Sequence, residues 1–127
     1  MIISLPIEDR RRSHAFYQEA FGFTPIGEPA EDGVPEPLQF ALTDDVRLML
    51  IPTGGFSWVL GDQPAAHHGT SECILSIPLA TEAAVDSLFT RATGAGATQL
   101  TPPTRHPWAY SATLTDPDGH VWMLETT

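Results

Sequence analysis

The sequence predicts an α+β fold: two βαβββ modules, near residues 1–52 and 72–127, forming a curved mixed sheet around a groove with the helices outside. Three observations point there. First, the opening strand-like hexapeptide IISLPI (Ile2–Ile7) returns 72 residues later as ILSIPL (Ile74–Leu79). Second, the match continues in order: Ser4 with Ser76, Pro6 with Pro78, Phe16-Tyr17 with Leu88-Phe89, Ala20 with Ala92, Gly22 with Gly94. Third, each half ends in strand-like segments, the last pair of the chain joined by the turn residues Asp116-Pro117-Asp118-Gly119. An ordered internal repeat decides architecture before any single motif does. A four-stranded sheet with one helix covers one face only, so one module cannot enclose a site, and two can.

Each element follows from local chemistry. IISLPI and ILSIPL alternate aliphatic with small or polar residues, as a half-buried strand requires. In the first copy Asp9 caps a helix, Phe16, Tyr17 and Ala20 form its apolar stripe, and Gly22 ends it. A weak strand is expected over 24–30, and firmer ones over 37–43 and 46–52. ALTD (Ala41–Asp44) matches TLTD (Thr113–Asp116) at the offset of 72, and a two-residue insertion then aligns Met49-Leu50 with Met123-Leu124. Residues 53–71, containing Gly54-Gly55 and His67-His68-Gly69, connect the modules; a link of this length folds locally or carries function. In the second copy Thr81 caps a helix and Glu82 favours its dipole. Val85, Leu88, Phe89 and Ala92 follow at i, i+3, i+4, i+7, and Gly94 and Gly96 stop it. Strands are expected near 97–101, 109–115 and 120–126.

Composition narrows the class. A chain of 127 residues, 42% hydrophobic, is one domain's worth and long enough for a real core. The formal charge is −10, which repels phosphate backbones and anionic lipid, so neither nucleic acid nor membrane is an expected partner. No apolar run spans a bilayer, and Glu8-Asp9-Arg10-Arg11-Arg12 interrupts the N-terminus too early for a signal peptide. The Arg triplet reads as a solvated helix face. The single Cys73 has no partner for an internal disulfide and reads as a buried, inert thiol on a strand; a cytoplasmic setting fits.

LPIEDRRRSHAFYQEAFGF (Leu5–Phe23) resembles the first strand and helix of the vicinal oxygen chelate superfamily, which includes glyoxalase I, extradiol dioxygenases and bleomycin-resistance proteins. DPDGHVWMLE (Asp116–Glu125) resembles the final hairpin of the same proteins, and the likeness extends over nearly the whole chain. The resemblance implies a divalent metal held by His, Gln or Glu from the first and last strands of each module. The family's first-strand ligand, seven residues before the Asp that begins the helix, falls on Ile2, and the repeat places its partner at Ile74. The last-strand carboxylate, four residues after the Gly of DPDG, falls on Met123, with Met49 as its counterpart. Alternation agrees: Ile3, Leu5 and Ile7 face the helix, which leaves Ile2, Ser4 and Pro6 for the groove. Isoleucine offers no donor, and a thioether suits soft copper(I) rather than a hard or borderline cation. The expectation is therefore an apolar floor with no metal and no cofactor.

Other chemistry-bearing residues also admit plainer roles. His67 and His68 read as solvated loop residues, His14 as the exposed edge of the first helix, and His120 as a packed or capping residue. His106 precedes a strand beside Trp108 and is either rim decoration or an acid–base group. Glu125 shares the groove side with Met123 and Val121; it is a base, a partner for a cationic ligand, or a solvated terminal residue. Trp58 and Trp108 suit stacking on a planar ligand, Phe40 and Phe56 suit the core equally, and Tyr110 fits either side of its strand. No nucleophile elbow, phosphate-cradling glycine loop or zinc-type cysteine spacing is present. The reading is metal-independent binding of an aromatic or cationic small molecule by Ile2, Met49, Trp58, Ile74, Trp108, Tyr110, Met123 and Glu125, with no catalytic residue, in a homodimer such as relatives of this size commonly form. The rivals are a lyase, isomerase or dioxygenase-like enzyme with a displaced metal site or a Glu125–His106 pair, and a module whose dimer surface is its main asset.

Overall fold

The computed structural model describes Met1–Thr127. The chain runs β1 (Ile2–Ile7), α1 (Arg10–Phe21), β2 (Thr24–Pro25), β3 (Leu38–Ala41), β4 (Arg47–Pro52), α2 (Thr53–Leu60), β5 (Ile74–Pro78), α3 (Glu82–Gly94), β6 (Thr98–Arg105), β7 (Tyr110–Thr115) and β8 (Val121–Thr126). The strands make two four-stranded mixed sheets, ordered β1-β4-β3-β2 and β5-β8-β7-β6. The outer strand of each copy, β1 or β5, runs parallel to its neighbour, and the remaining pairs are antiparallel. The chain divides into two compact units, Met1–Gln18 with Gly22–His67, and Glu19–Phe21 with His68–Thr127.

In the first unit the predicted caps form. Asp9 is extended (φ −136°, ψ 111°), and its Oδ1 accepts from the Arg11 and Arg12 amides at 2.9 and 3.2 Å. Gly22 takes the left-handed conformation at φ 69° and donates to the Gln18 carbonyl at 3.0 Å, so the helix stops where only glycine turns cheaply. The core joins Ile7, Tyr17, Leu38, Phe40, Leu48 and Leu50, all fully buried. Tyr17 meets Phe23 in a stack at 6.0 Å and Phe40 at 5.7 Å, which places α1 over the Phe40 side of the sheet. The expected strand over 24–30 shrinks to Thr24–Pro25 and an isolated bridge from Pro29 to Pro35. Prolines lack the amide a ladder needs, and Gly27 bends away at φ 93°. Arg10 holds this segment instead: Nη1 donates to Asp32 Oδ2 at 2.6 Å, and Nη2 to the Val34 and Pro35 carbonyls at 3.0 and 2.6 Å.

The connection between modules does fold locally. Residues 53–60 form α2, which buries none of its side chains. Gly55 lies close to Ile51, where a Cβ would come within 3.3 Å of Ile51 Cγ2.

In the second unit Thr81 Oγ1 accepts from the Ala84 amide at 3.0 Å, and α3 buries Val85 and Ala92 as the stripe predicts. The last turn of α1 also belongs here: Phe21 tilts against Trp122 at 5.1 Å, and Arg91 Nε donates to the Glu19 carbonyl at 2.6 Å. The DPDG turn closes on Asp116, whose Oδ1 accepts from the Asp118 and His120 amides at 2.9 Å each. One sequence match changes in space. Ala41 pairs with Arg47, and Thr115 with Val121, so equivalent hairpin residues differ by 74 and ALTD does not superpose on TLTD. Both turns have the same length; the two extra residues fall between helix and hairpin, a stretch that includes the irregular register of β6.

Candidate ligand-binding faces

Strand alternation gives each sheet a helix side and a second side. In β1 the burial rises at Leu5 and Ile7, and in β4 at Leu48 and Leu50, so Ile2, Ser4, Pro6, Arg47, Met49 and Ile51 share the second side. Leu38 and Phe40 of β3 point toward the helix, which turns Gln39 and Ala41 to the same side as Met49. Register orders these into rows across the sheet: Ile2–Arg47–Ala41 and Ser4–Met49–Gln39. The face is largely aliphatic, with one guanidinium, one carboxamide and the Ser4 hydroxyl. Gln39 Oε1 is buried and has no hydrogen-bond partner.

The second sheet obeys the same rule with different chemistry. Trp122 and Leu124 are buried on the helix side, leaving Val121, Met123 and Glu125 for the other. The rows run Ile74–Val121–Thr115–Thr98, Ser76–Met123–Thr113–Thr101 and Pro78–Glu125–Ser111–Thr104. Thr101 and Thr113 join by their hydroxyls at 2.7 Å. Met123 thus lies between the hydroxyls of Ser76 and Thr113, as Met49 lies between the Ser4 hydroxyl and the Gln39 carboxamide. Glu125 is half-buried, and no cationic side chain of the protein pairs with it.

Of the residues singled out in the sequence, Ile2 and Met49 lie on the second side of the first sheet, and Ile74, Met123 and Glu125 on that of the second. Ile2 and Ile74 are more than half exposed, and each sits one row away from the methionine of its own sheet. Trp58 is carried by α2 with its indole 83% exposed. Trp108 stands at the β6–β7 turn, where the His106 ring stacks on it at 5.0 Å with 3° between planes. Tyr110 belongs to the helix side: its hydroxyl donates to Asp86 Oδ1 of α3 at 2.6 Å, and Arg105 lies over its ring. That hydrogen bond, and then partial burial, hold the Tyr110 phenol above its ordinary value of 10.0. Tyr110 therefore faces away from Met123 and Glu125. His106 and Glu125 share no hydrogen bond, and Cys73 is exposed rather than buried, because β5 begins only at Ile74. Gln39, Arg47, Ser111, Thr101 and Thr113 were missed in the sequence. Pairing the last strand of each module with its neighbour in the ladder is the step that finds them.

The donors required for the metal that the resemblance implies are not offered. No three His, Cys, Asp or Glu side chains come together in a way that could hold an ion. Ile2, Met49, Ile74 and Met123 supply aliphatic carbon and thioether sulfur, which do not fit a hard or borderline cation.

Comparison with known proteins agrees with this architecture. No curated protein sequence matches the chain. A hypothetical protein from S. aureus superposes with a TM-score of 0.84 at 24% identity, over 100% of this chain and 92% of that one. A glyoxalase-related enzyme from Fulvimarina pelagi gives a TM-score of 0.84 at 25% identity, over 99% and 86%. TnmS3, an antibiotic binding protein from Streptomyces sp. CB03234, gives 0.66 at 27% identity, over 98% and 92%. The sequence profile of the Glyoxalase/Bleomycin resistance protein/Dioxygenase superfamily matches residues 2–124. With that match spanning both βαβββ modules, the chain belongs to this superfamily.

Proposed function

We propose that this protein binds a small, partly aromatic or cationic molecule on the sheet faces turned away from its helices, and does so without a metal. The observation that carries the reading is the donor set. At the positions where the superfamily resemblance calls for metal ligands, the chain has Ile2, Met49, Ile74 and Met123, set among hydroxyls, one carboxamide, one guanidinium and one unpaired carboxylate. Such surfaces recognise; Ser111, across from Glu125, makes no hydrogen bond to its carboxylate. The likeness to an antibiotic binding protein supports the same role, and a formal charge of −10 favours cations over anions. Met49 and Met123 supply adaptable, polarisable contacts for a ring, and Glu125 supplies a carboxylate for a cationic nitrogen.

Fluorescence titration tests this. Planar probes, 9-aminoacridine among them, should quench tryptophan emission with a Kd near micromolar, or about −8 kcal/mol. Met123→Glu places a carboxylate beside Ser76 and Thr113 and should weaken a neutral aromatic probe at least about tenfold, roughly 1.4 kcal/mol. Trp108→Ala should remove most of the quenching. Unchanged affinity in Met123→Glu for every neutral probe would show that this face is not the binding surface.

A further inference from the structure

We infer that the first sheet binds an aromatic acid, with Arg47 taking the carboxylate, Met49 carrying the ring and the Gln39 carboxamide donating beside it. The inference rests on the binding role proposed above and names the chemistry that one of its faces reads. Across all eight strands the charged residues are Arg47, Arg105 and Glu125. Arg105 is committed, through an ion pair with Glu82 and its place over the Tyr110 ring. The Arg47 guanidinium makes no hydrogen bond or ion pair; only its backbone amide is engaged, donating to the Met1 carbonyl at 3.0 Å. Asp44 and Asp45, which precede it in the turn, leave it unpaired.

The polar groups around Arg47 on this face are donors. Gln39 is half-exposed with its Oε1 closed off from solvent, so the end of the carboxamide that a ligand meets is the Nε2 amide. That amide has no partner in the chain. Ser4 offers a hydroxyl from the other flank of Met49. None of the 16 acidic residues lies on β1–β4, so no carboxylate of these strands competes for the donors. Arg47 and Met49 are two residues apart on β4 and point the same way, about 7 Å from each other, the span from a carboxylate to the ring that bears it. Gln39 stands directly across from Met49 and diagonal to Arg47, within reach of a group held by the arginine. A guanidinium matches a carboxylate through two parallel hydrogen bonds, and the aliphatic Ile2, Ala41 and Ile51 leave the rest of the face to an apolar ring. The charge of −10 opposes anions at long range, but salt screens it beyond about 8 Å, and contact with Arg47 decides inside that distance.

Calorimetric titration with 2-naphthoate and its methyl ester provides the test, because the two share their rings and differ in the charged carboxylate. Wild type should bind 2-naphthoate about tenfold more tightly than the ester. Arg47→Met keeps an apolar stem and removes the charge, so it should bind both probes equally, with the ester affinity kept. Gln39→Leu should weaken both about threefold, since an ester carbonyl accepts from Nε2 as a carboxylate does. Equal binding of both probes by wild type, or a tenfold preference retained in Arg47→Met, overturns this inference and leaves the binding role intact. Binding of 9-aminoacridine with no binding of either naphthalene probe does the same. Unchanged binding of both by Gln39→Leu overturns the part given to Gln39. If none of the three probes binds wild type, the binding role fails and takes this inference with it.

Discussion

Asp32 shows how much a single residue contributes through position alone. It sits in the proline-rich stretch between β2 and β3, where its Oδ1 accepts from the Val34 amide at 3.1 Å and its Oδ2 from Arg10. The backbone hydrogen bond, followed by the Arg10 interaction, holds its carboxyl below the ordinary 3.8. A group whose folded value is depressed adds stability above its unfolded value and loses it as pH falls through the folded one. The segment 29–35 should therefore loosen below about pH 3.8, seen as faster exchange of the Val34 amide, and Asp32→Asn should remove that acid transition. An Asp32→Asn variant that keeps the wild-type acid profile would place its origin elsewhere. Little of this was legible in the sequence. Arg10 reads there as part of a solvated triplet, and only the fold brings it to residues more than 20 positions away.

Among the elements, the caps and stripes were legible and the irregular pieces were not. Asp9, Gly22 and Thr81 act within a few residues of themselves, so their roles are written in short spacings. The length of β6 and the truncation of β2 depend on pairing with distant strands, and α2 emerged from a segment rich in glycine that local propensity leaves open. The β7–β8 turn combines both kinds of information. Its Asp-Pro-Asp-Gly chemistry is local, yet Gly119 at φ 87° also lies where a Cβ would meet His68 Cε1 at 3.2 Å and the Gly69 nitrogen at 3.3 Å. Gly119→Ala should thus cost about 1–2 kcal/mol from the left-handed backbone alone. Adding His68→Ala should recover only part of any further loss, since the Gly69 backbone stays in place. Thermal unfolding of the single and double variants measures this, and a neutral Gly119→Ala would refute the account.

For the whole molecule, two outcomes bear on assembly and cofactor. Ile2, Trp58, Val59 and Trp108 are large apolar side chains more than half exposed, and covering such groups favours self-association. A homodimer is the expected state, and sedimentation at micromolar concentration should show twice the 13.8 kDa chain mass. A single monomer species there refutes it. No helix is long and apolar enough to cross a membrane. Loading the protein with zinc, nickel, iron or manganese, followed by desalting and elemental analysis, should leave no stoichiometric ion. One tight ion per chain would overturn the metal-independent reading and reopen lyase or dioxygenase chemistry.

The sequence by itself determined the α+β class, the doubled βαβββ plan and the sides of β1 and β8 that meet the helices, because repeats, caps and period-two burial are local patterns. The family resemblance read from it also implies that Ile2, Met49, Ile74 and Met123 stand where relatives would present metal ligands. Only the tertiary structure decided which residues share a row. Strand register, set by hydrogen bonds between separate strands, put Gln39 across from Met49, set Met123 between Ser76 and Thr113 and sent Tyr110 to Asp86 on the helix side. Register is a property of pairs of strands, and one strand read alone does not contain it.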